Sequence, residues 1–179
     1  MKISILLPYK ENFSPNYAGA VSLFVKDTVS LSKFKKKIVI FGNTKFKKKL
    51  LKNYKNLSFK KYFFKSSTNS YLEKFKKYEL REKSNLIEIH NRPDYIDKLY
   101  QINDNLILYF HNNPNDMKNS DSVSKKKNLL KKTKKIIFNS NWTKKQFLKG
   151  LTLNRERMKK LLIINQCAKK SYVNFKNKK

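Results

Sequence analysis

Two histidines are present, and each closes a short apolar run: Leu86-Ile-Glu-Ile-His90, and Leu106-Ile-Leu-Tyr-Phe110 followed by His111. An imidazole can act as acid, base or hydrogen-bond donor near neutral pH. Finding both at the ends of predicted strands marks one sheet edge as a candidate site. The plainer alternative is a polar strand end whose imidazole bonds to backbone. A third feature is the long connection from Tyr9 to Tyr17, after which Ala18-Gly19-Ala20 opens a predicted helix. Small residues there let a ligand approach the backbone, and a helix N-terminus offers free N–H groups to a phosphate. The same glycine would equally serve an ordinary turn. Neither the G-x-G-x-x-G nor the phosphate-loop pattern is matched, which argues against a self-contained nucleotide site. Cys167 is the single cysteine, so an internal disulfide or a cysteine zinc cluster is excluded.

The elements that must carry these residues follow from the apolar pattern. Lys2 to Leu7, Ile38 to Phe41, Leu86 to His90, Leu106 to Phe110, Ile136 to Phe138 and Leu161 to Ile164 are short runs without strict alternation. Such runs suit strands buried on both faces. Between them, Ala18 to Leu31 carries Val21, Phe24, Val25 and Val29 on a helical stripe, and Ser67 to Lys83 carries Tyr71, Leu72, Phe75 and Tyr78. Pro93 suits the first position of a helix reaching Gln101. Ser140 or Asn141 caps a helix through Leu148, with Gly150 as its stop. Lys45 to Phe64 has no clear pattern; a short helix and a strand near Leu57 to Phe59 are expected. Strand–helix alternation predicts an α/β, Rossmann-like, mostly parallel sheet with helices on both faces. In such sheets ligands bind beyond the carboxyl ends of the strands, where both histidines fall.

Charge is the unusual property of the composition. Lys+Arg total 43 against 12 Asp+Glu, a formal +31 over 179 residues. That points toward nucleic acid or an anionic membrane. Only Arg81, Arg92, Arg155 and Arg157 carry the flat guanidinium that specific phosphate and guanine recognition favours. Abundant Asn, Ile, Phe and Tyr, which share A/T-rich codons with Lys, suggest a compositional bias laid over an ordinary fold. The opening apolar run is too short for a signal-peptide core, and no stretch has the length of a membrane span. Together with the single cysteine, this predicts a cytoplasmic protein.

The ordered set Met1-Lys-Ile-Ser-Ile-Leu-Leu-Pro8, Ala18-Gly19-Ala20, Ile87-Glu-Ile-His-Asn-Arg-Pro93, Leu108-Tyr-Phe-His-Asn-Asn113 and Ile137-Phe-Asn-Ser-Asn-Trp-Thr143 resembles the N-terminal domain of group-1 (family four) glycosyltransferases of GT-B fold. The resemblance spans nearly the whole chain. It implies an acceptor-binding half that works with a donor-binding half in sugar transfer from a nucleotide sugar. The acceptor would be a saccharide or lipid-linked molecule of cell-surface polysaccharide synthesis. Transfer would retain anomeric configuration and need no metal or other cofactor. By the same resemblance, Ala18, Gly19 and Ala20 form the donor-diphosphate loop, although Ala18 stands where a second glycine is common. His111 is the active-site histidine, which contacts the transferred sugar and steadies the charge developing there. His90, Asn91, Arg92, Asn112 and Ser140 line the acceptor cleft.

Residues 1–166 would form this domain, and 167–179 a basic tail or the start of a linker. The second Rossmann-like domain of the family, with its basic pair and paired glutamates, has no counterpart in the sequence. A truncated product or one partner of a split enzyme, inactive alone, is therefore expected. Two other readings use the charge. A basic nucleic-acid-binding module without catalytic activity would draw on Ser124 to Lys132, but no nucleic-acid motif is present and the bases are spread. Alternatively, Lys74 to Lys83 and Lys125 to Lys135 hold a glycosyltransferase on an anionic inner leaflet; a solvated helix face accounts for them equally.

Overall fold

The computed structural model describes residues 1–59 and 66–166. The expected tail and Cys167 lie outside these residues, as does the end of the Lys45 to Phe64 stretch. Among the described residues, seven strands form one sheet, each parallel to its neighbours. They are β1 (Ile3–Leu6), β2 (Ile38–Gly42), β3 (Tyr54–Asn56), β4 (Leu86–His90), β5 (Leu106–Phe110), β6 (Lys135–Phe138) and β7 (Leu161–Ile163), in the order β3-β2-β1-β4-β5-β6-β7. The order reverses between β1 and β4, where a doubly wound sheet opens a crevice.

Helices cover both faces. On one, α1 (Ala20–Leu31) inserts Val21, Val25 and Val29 against Ile3, Ile5, Ile38 and Ile40. The larger core lies on the other. There α2 (Ser67–Glu82), α3 (Ile96–Leu99), α4 (Val123–Lys132) and α5 (Asn141–Leu148) pack Phe75, Leu99, Leu129 and Phe147 against the sheet. A short α6 (Arg155–Met158) precedes β7. Ser66, Ser122 and Ser140 cap α2, α4 and α5 by accepting an N–H bond from the first turn. Two buried side chains tie helix to sheet. The Glu79 carboxylate accepts bonds from Ser4 Oγ at 2.5 Å and from the Ser84 backbone N–H at 3.0 Å. The Tyr71 hydroxyl donates to the Leu7 carbonyl at 2.9 Å, and burial pushes its pKa well above the usual value.

The side-chain alternation of two strands creates the site. On β4, Ile87 and Ile89 enter the larger core, so Glu88 and His90 face α1's side. On β5, Leu106, Leu108 and Phe110 enter that core, leaving Tyr109 on the opposite face with His111 following the strand end. The register places His90 beside Tyr109.

Two expectations need correction. The strand awaited near Leu57 to Phe59 lies at Tyr54–Asn56, and residues 45–59 contain no helix. Tyr54 fixes its place by stacking on Phe13, ring centroids 5.0 Å apart, and crossing Gly42, where a Cβ would come within 2.8 Å of the Tyr54 hydroxyl. The helix expected from Pro93 to Gln101 is a 3-10 turn, Pro93–Tyr95, leading into the four-residue α3. Among the described residues, no helix is long and apolar enough to cross a membrane.

Candidate functional site

A cleft of about 690 Å³ opens at the carboxyl ends of β1, β4 and β5. Ala20 and Glu11 border it on the α1 side, Asn91 and Arg92 follow β4, and His111 and Asn112 follow β5.

Asn91 is the hinge of this edge. Its φ of 52° is left-handed, a conformation asparagine tolerates better than most residues. Its N–H donates to the Tyr109 carbonyl at 2.8 Å, and its side-chain oxygen accepts from the His111 backbone N–H at 2.7 Å. The chain leaving β4 thereby fixes the start of the loop leaving β5. From the other side, the Asn139 side chain donates to the His111 carbonyl at 2.8 Å. Thr143 Oγ1 donates to Asn139 at 2.6 Å, and the Thr143 N–H donates to Ser140 Oγ at 3.2 Å. Ser140 therefore caps α5 and supports His111 through two intermediaries; it does not line the cleft.

The histidines are brought together. His90 Nδ1 lies 2.8 Å from His111 Nε2, and His90 Nε2 lies 2.7 Å from Glu88 Oε1. The Gln166 side-chain amide bonds to His111 Nδ1. The four side chains form one continuous chain of hydrogen bonds. Tyr109 lies parallel to the His111 ring at 4.4 Å, and Phe24 of α1 meets that ring edge-on at 5.1 Å. His90 is fully buried, so it sits beneath His111 and does not line the cleft. Burial, with His90 beside it, lowers the His111 pKa from 6.5 to about 3, so its imidazole is neutral at physiological pH.

The small-residue loop is also occupied. Glu11 Oε1 accepts the N–H of Ser22, in the first turn of α1, at 3.0 Å. Gly19 supplies no side-chain cap, and a Cβ at Gly19 would collide with the Glu11 carboxylate. The loop's own carboxylate thus takes the place at the helix N-terminus that an anion would use. Ala20 lines the cleft, whereas Ala18 and Gly19 do not. Arg92 holds Asp94 at 3.2 Å and lies over the Tyr95 ring at 5.0 Å. Its Nε is buried with no hydrogen-bond partner among the described residues. Burial raises the Asp94 pKa, against the opposing pull of Arg92.

Three participants were missed in the sequence. Glu88 carried a readable signal: a lone acid inside an apolar strand, two residues before a histidine, must share its face. Gln166 follows a predicted strand at the binding edge. Nothing local distinguishes Glu11. Among the described residues, no cluster of His, Cys, Asp and Glu has the makings of a metal site.

No protein-family model matches the chain and no curated protein does, so the group-1 likeness rests on its motifs. Among solved structures it is similar to UDP-N-acetylglucosamine 2-epimerase from Rickettsia bellii. The TM-score is 0.53 at 11% identity, covering 93% of this chain and 45% of that one. The fold is a GT-B-like Rossmann domain. The chain spans less than half the length of that epimerase chain. At this identity the likeness carries the architecture and leaves chemistry to the site's own residues.

Proposed function

We propose that this GT-B-like domain is the acceptor-side half of a nucleotide-sugar glycosyltransferase. It works opposite a second, donor-binding Rossmann-like domain. The transferred group is a sugar, and the acceptor is a saccharide or lipid-linked molecule of cell-surface polysaccharide synthesis. One observation carries the reading: His111 stands at the end of β5 on the cleft wall, near the opening of α1, and is anchored from behind by His90 and Glu88. A neutral, immobilised imidazole suits contact with an uncharged sugar and steadying of charge that develops during transfer. Asn91, Arg92 and Asn112 then belong to acceptor binding. The group-1, retaining assignment is supported by the order of the sequence motifs, with no metal or cofactor in the scheme.

Binding and transfer decide the matter. The purified chain, alone and mixed with a donor-binding half, is assayed with nucleotide sugars. Turnover in the mixture, lost in His111→Ala with the fold intact, is the expected result. A folded chain that neither binds nucleotide sugars nor turns over with that half refutes the reading.

A further inference from the structure

We infer that Glu88 is a positioning residue that fixes the tautomer of His111, so that His111 Nδ1 presents a bare lone pair to the cleft and takes a hydrogen-bond donor from the ligand. The ligand part of this inference rests on the cleft being the substrate site proposed above; the tautomer part stands by itself.

The direction of the chain follows from which atoms can donate. An ionised carboxylate only accepts, so His90 Nε2 must carry the proton facing Glu88 Oε1, 2.7 Å away. A neutral His90 then has a bare Nδ1. That atom can be satisfied at 2.8 Å only if His111 Nε2 carries the proton. His111 is then bare at Nδ1, which receives the Gln166 side-chain N–H. Every bond in the series is made in this direction, and none is left donor-to-donor. Solvent access supports it. Glu88 borders a second cavity of about 190 Å³ with Thr28 and Ser32, whereas His90 is sealed from water. The carboxylate therefore lies at the wetted end of the chain and the two rings occupy its dry middle.

A ligand class follows for the other end. Both Gln166 and His111 line the cleft, so the Gln166 amide occupies the place of a ligand donor. A hydroxyl or amide N–H of a sugar can replace it; a phosphate oxygen, with no proton to give, cannot. His111 thus marks the sugar end of the cleft.

The test is imidazole nitrogen NMR on the ¹⁵N-labelled chain, with only two histidines to assign. For the wild type without ligand, His111 is expected protonated at Nε2 and bare at Nδ1. Protonation at Nδ1 with Nε2 bare overturns the inference. Glu88→Gln keeps the shape, but a carboxamide both donates and accepts, so either direction becomes allowed. His111 should then show both tautomers. An unchanged single tautomer in that variant removes Glu88 from the role. If the variant does not fold, the wild-type spectrum still decides the direction. A separate titration with UDP-N-acetylglucosamine, the labelled chain mixed with an unlabelled donor-binding half, reads the ligand clause: the Nδ1 resonance of His111 should move with it and not with UDP alone. Bound nucleotide sugar that leaves the Nδ1 resonance in place overturns the ligand clause, absence of binding even with that half present counts against the functional reading, and the ligand-free spectra judge the tautomer alone.

Discussion

Acid should unfold this protein earlier than its carboxylates alone would dictate, because the fold holds His111 neutral. Its pKa is lowered from 6.5 to about 3, first by burial and then by His90. In the unfolded chain the imidazole returns to roughly 6.5. Between those two values the unfolded state binds one more proton than the native state. The stabilising contribution is therefore whole above the unfolded pKa and drains as pH falls toward the folded one. The slope approaches about 1.4 kcal/mol per pH unit, so moving from pH 6.5 to 4.5 removes roughly 2.3 kcal/mol. That is a large share of the roughly 5–15 kcal/mol typical of a domain. Asp97, Asp121 and Glu82 are held below the usual carboxylate values by lysine partners, so their contributions fade at lower pH. Asp94, raised by burial, has the opposite sign and offsets part of the loss near the acid end. The informative window is accordingly about pH 6.5 to 5. Urea unfolding at constant m reads the free energy there. His111→Gln keeps a polar side chain and removes the titration, so its profile should be flatter by about one proton. Equal slopes for wild type and variant would refute the account.

Three further outcomes are expected. Glu11→Ala removes the acceptor at the first turn of α1 and should cost about 1 kcal/mol in urea unfolding, the size of a lost N-cap. Gly19→Ala should destabilise because its Cβ meets the Glu11 carboxylate. Combined with Glu11→Ala it should cost less than the sum of the two, and a strictly additive double-mutant cycle would show that they do not collide. Lys126→Met strips the ammonium from the carbonyls of Gln146 and Lys149 and should cost about 1–3 kcal/mol. An unchanged unfolding midpoint would mean water replaces it freely.

Six of the seven strands were legible because apolar runs of roughly three to six residues in an α/β chain have few other uses. The one that shifted, β3, consists of Tyr54, Lys55 and Asn56 and has no apolar run to read. Its position depends on a ring stacked on Phe13 from a distant loop, and no local pattern encodes that contact. The site divided along the same line. Asn91, Arg92 and Asn112 were marked by the family resemblance and His111 by falling just after a strand at the binding edge, and all four line the cleft. His90 was marked by the same rule, yet the alternation that aims it at His111 also buries it. Its partner Glu88 could be found by counting two residues back along β4. Glu11 could not, because what makes it important is the path of a nine-residue connection (Tyr9 to Tyr17) folding back over Gly19.

The formal charge of +31 also changes meaning once the side chains are placed. With only 12 acidic residues, most lysines have no carboxylate to pair with, and several are used on backbone carbonyls. Lys160 donates to the carbonyls of Leu130 and Thr133 at the end of α4, at 2.8 and 3.0 Å. Lys126 does the same at the end of α5, and burial lowers the pKa of both ammonium groups. Helix C-termini carry unpaired carbonyls and the negative end of the dipole, so an ammonium there satisfies both at once. Lys135 reaches the Lys159 carbonyl at the end of α6 in the same way, at 2.9 Å, and Lys144 of α5 reaches the Leu161 carbonyl of β7 at 3.1 Å. These lysines tie α4, α5, α6 and the β6–β7 side of the sheet to one another, and an ammonium so committed is a poor partner for a polyanion. Of the two basic stretches that suggested a membrane or nucleic-acid face, the one on α4 is split by this use. On α4, Lys126 points inward while Lys125 and Lys127 face solvent, and on α2 the lysines lie around a buried stripe of Leu72, Phe75 and Glu79. The charge is therefore partly architecture. The exposed lysines that remain belong to several elements, among them Lys35–Lys37, α2 and α4, so the net charge by itself marks no one face as a polyanion site.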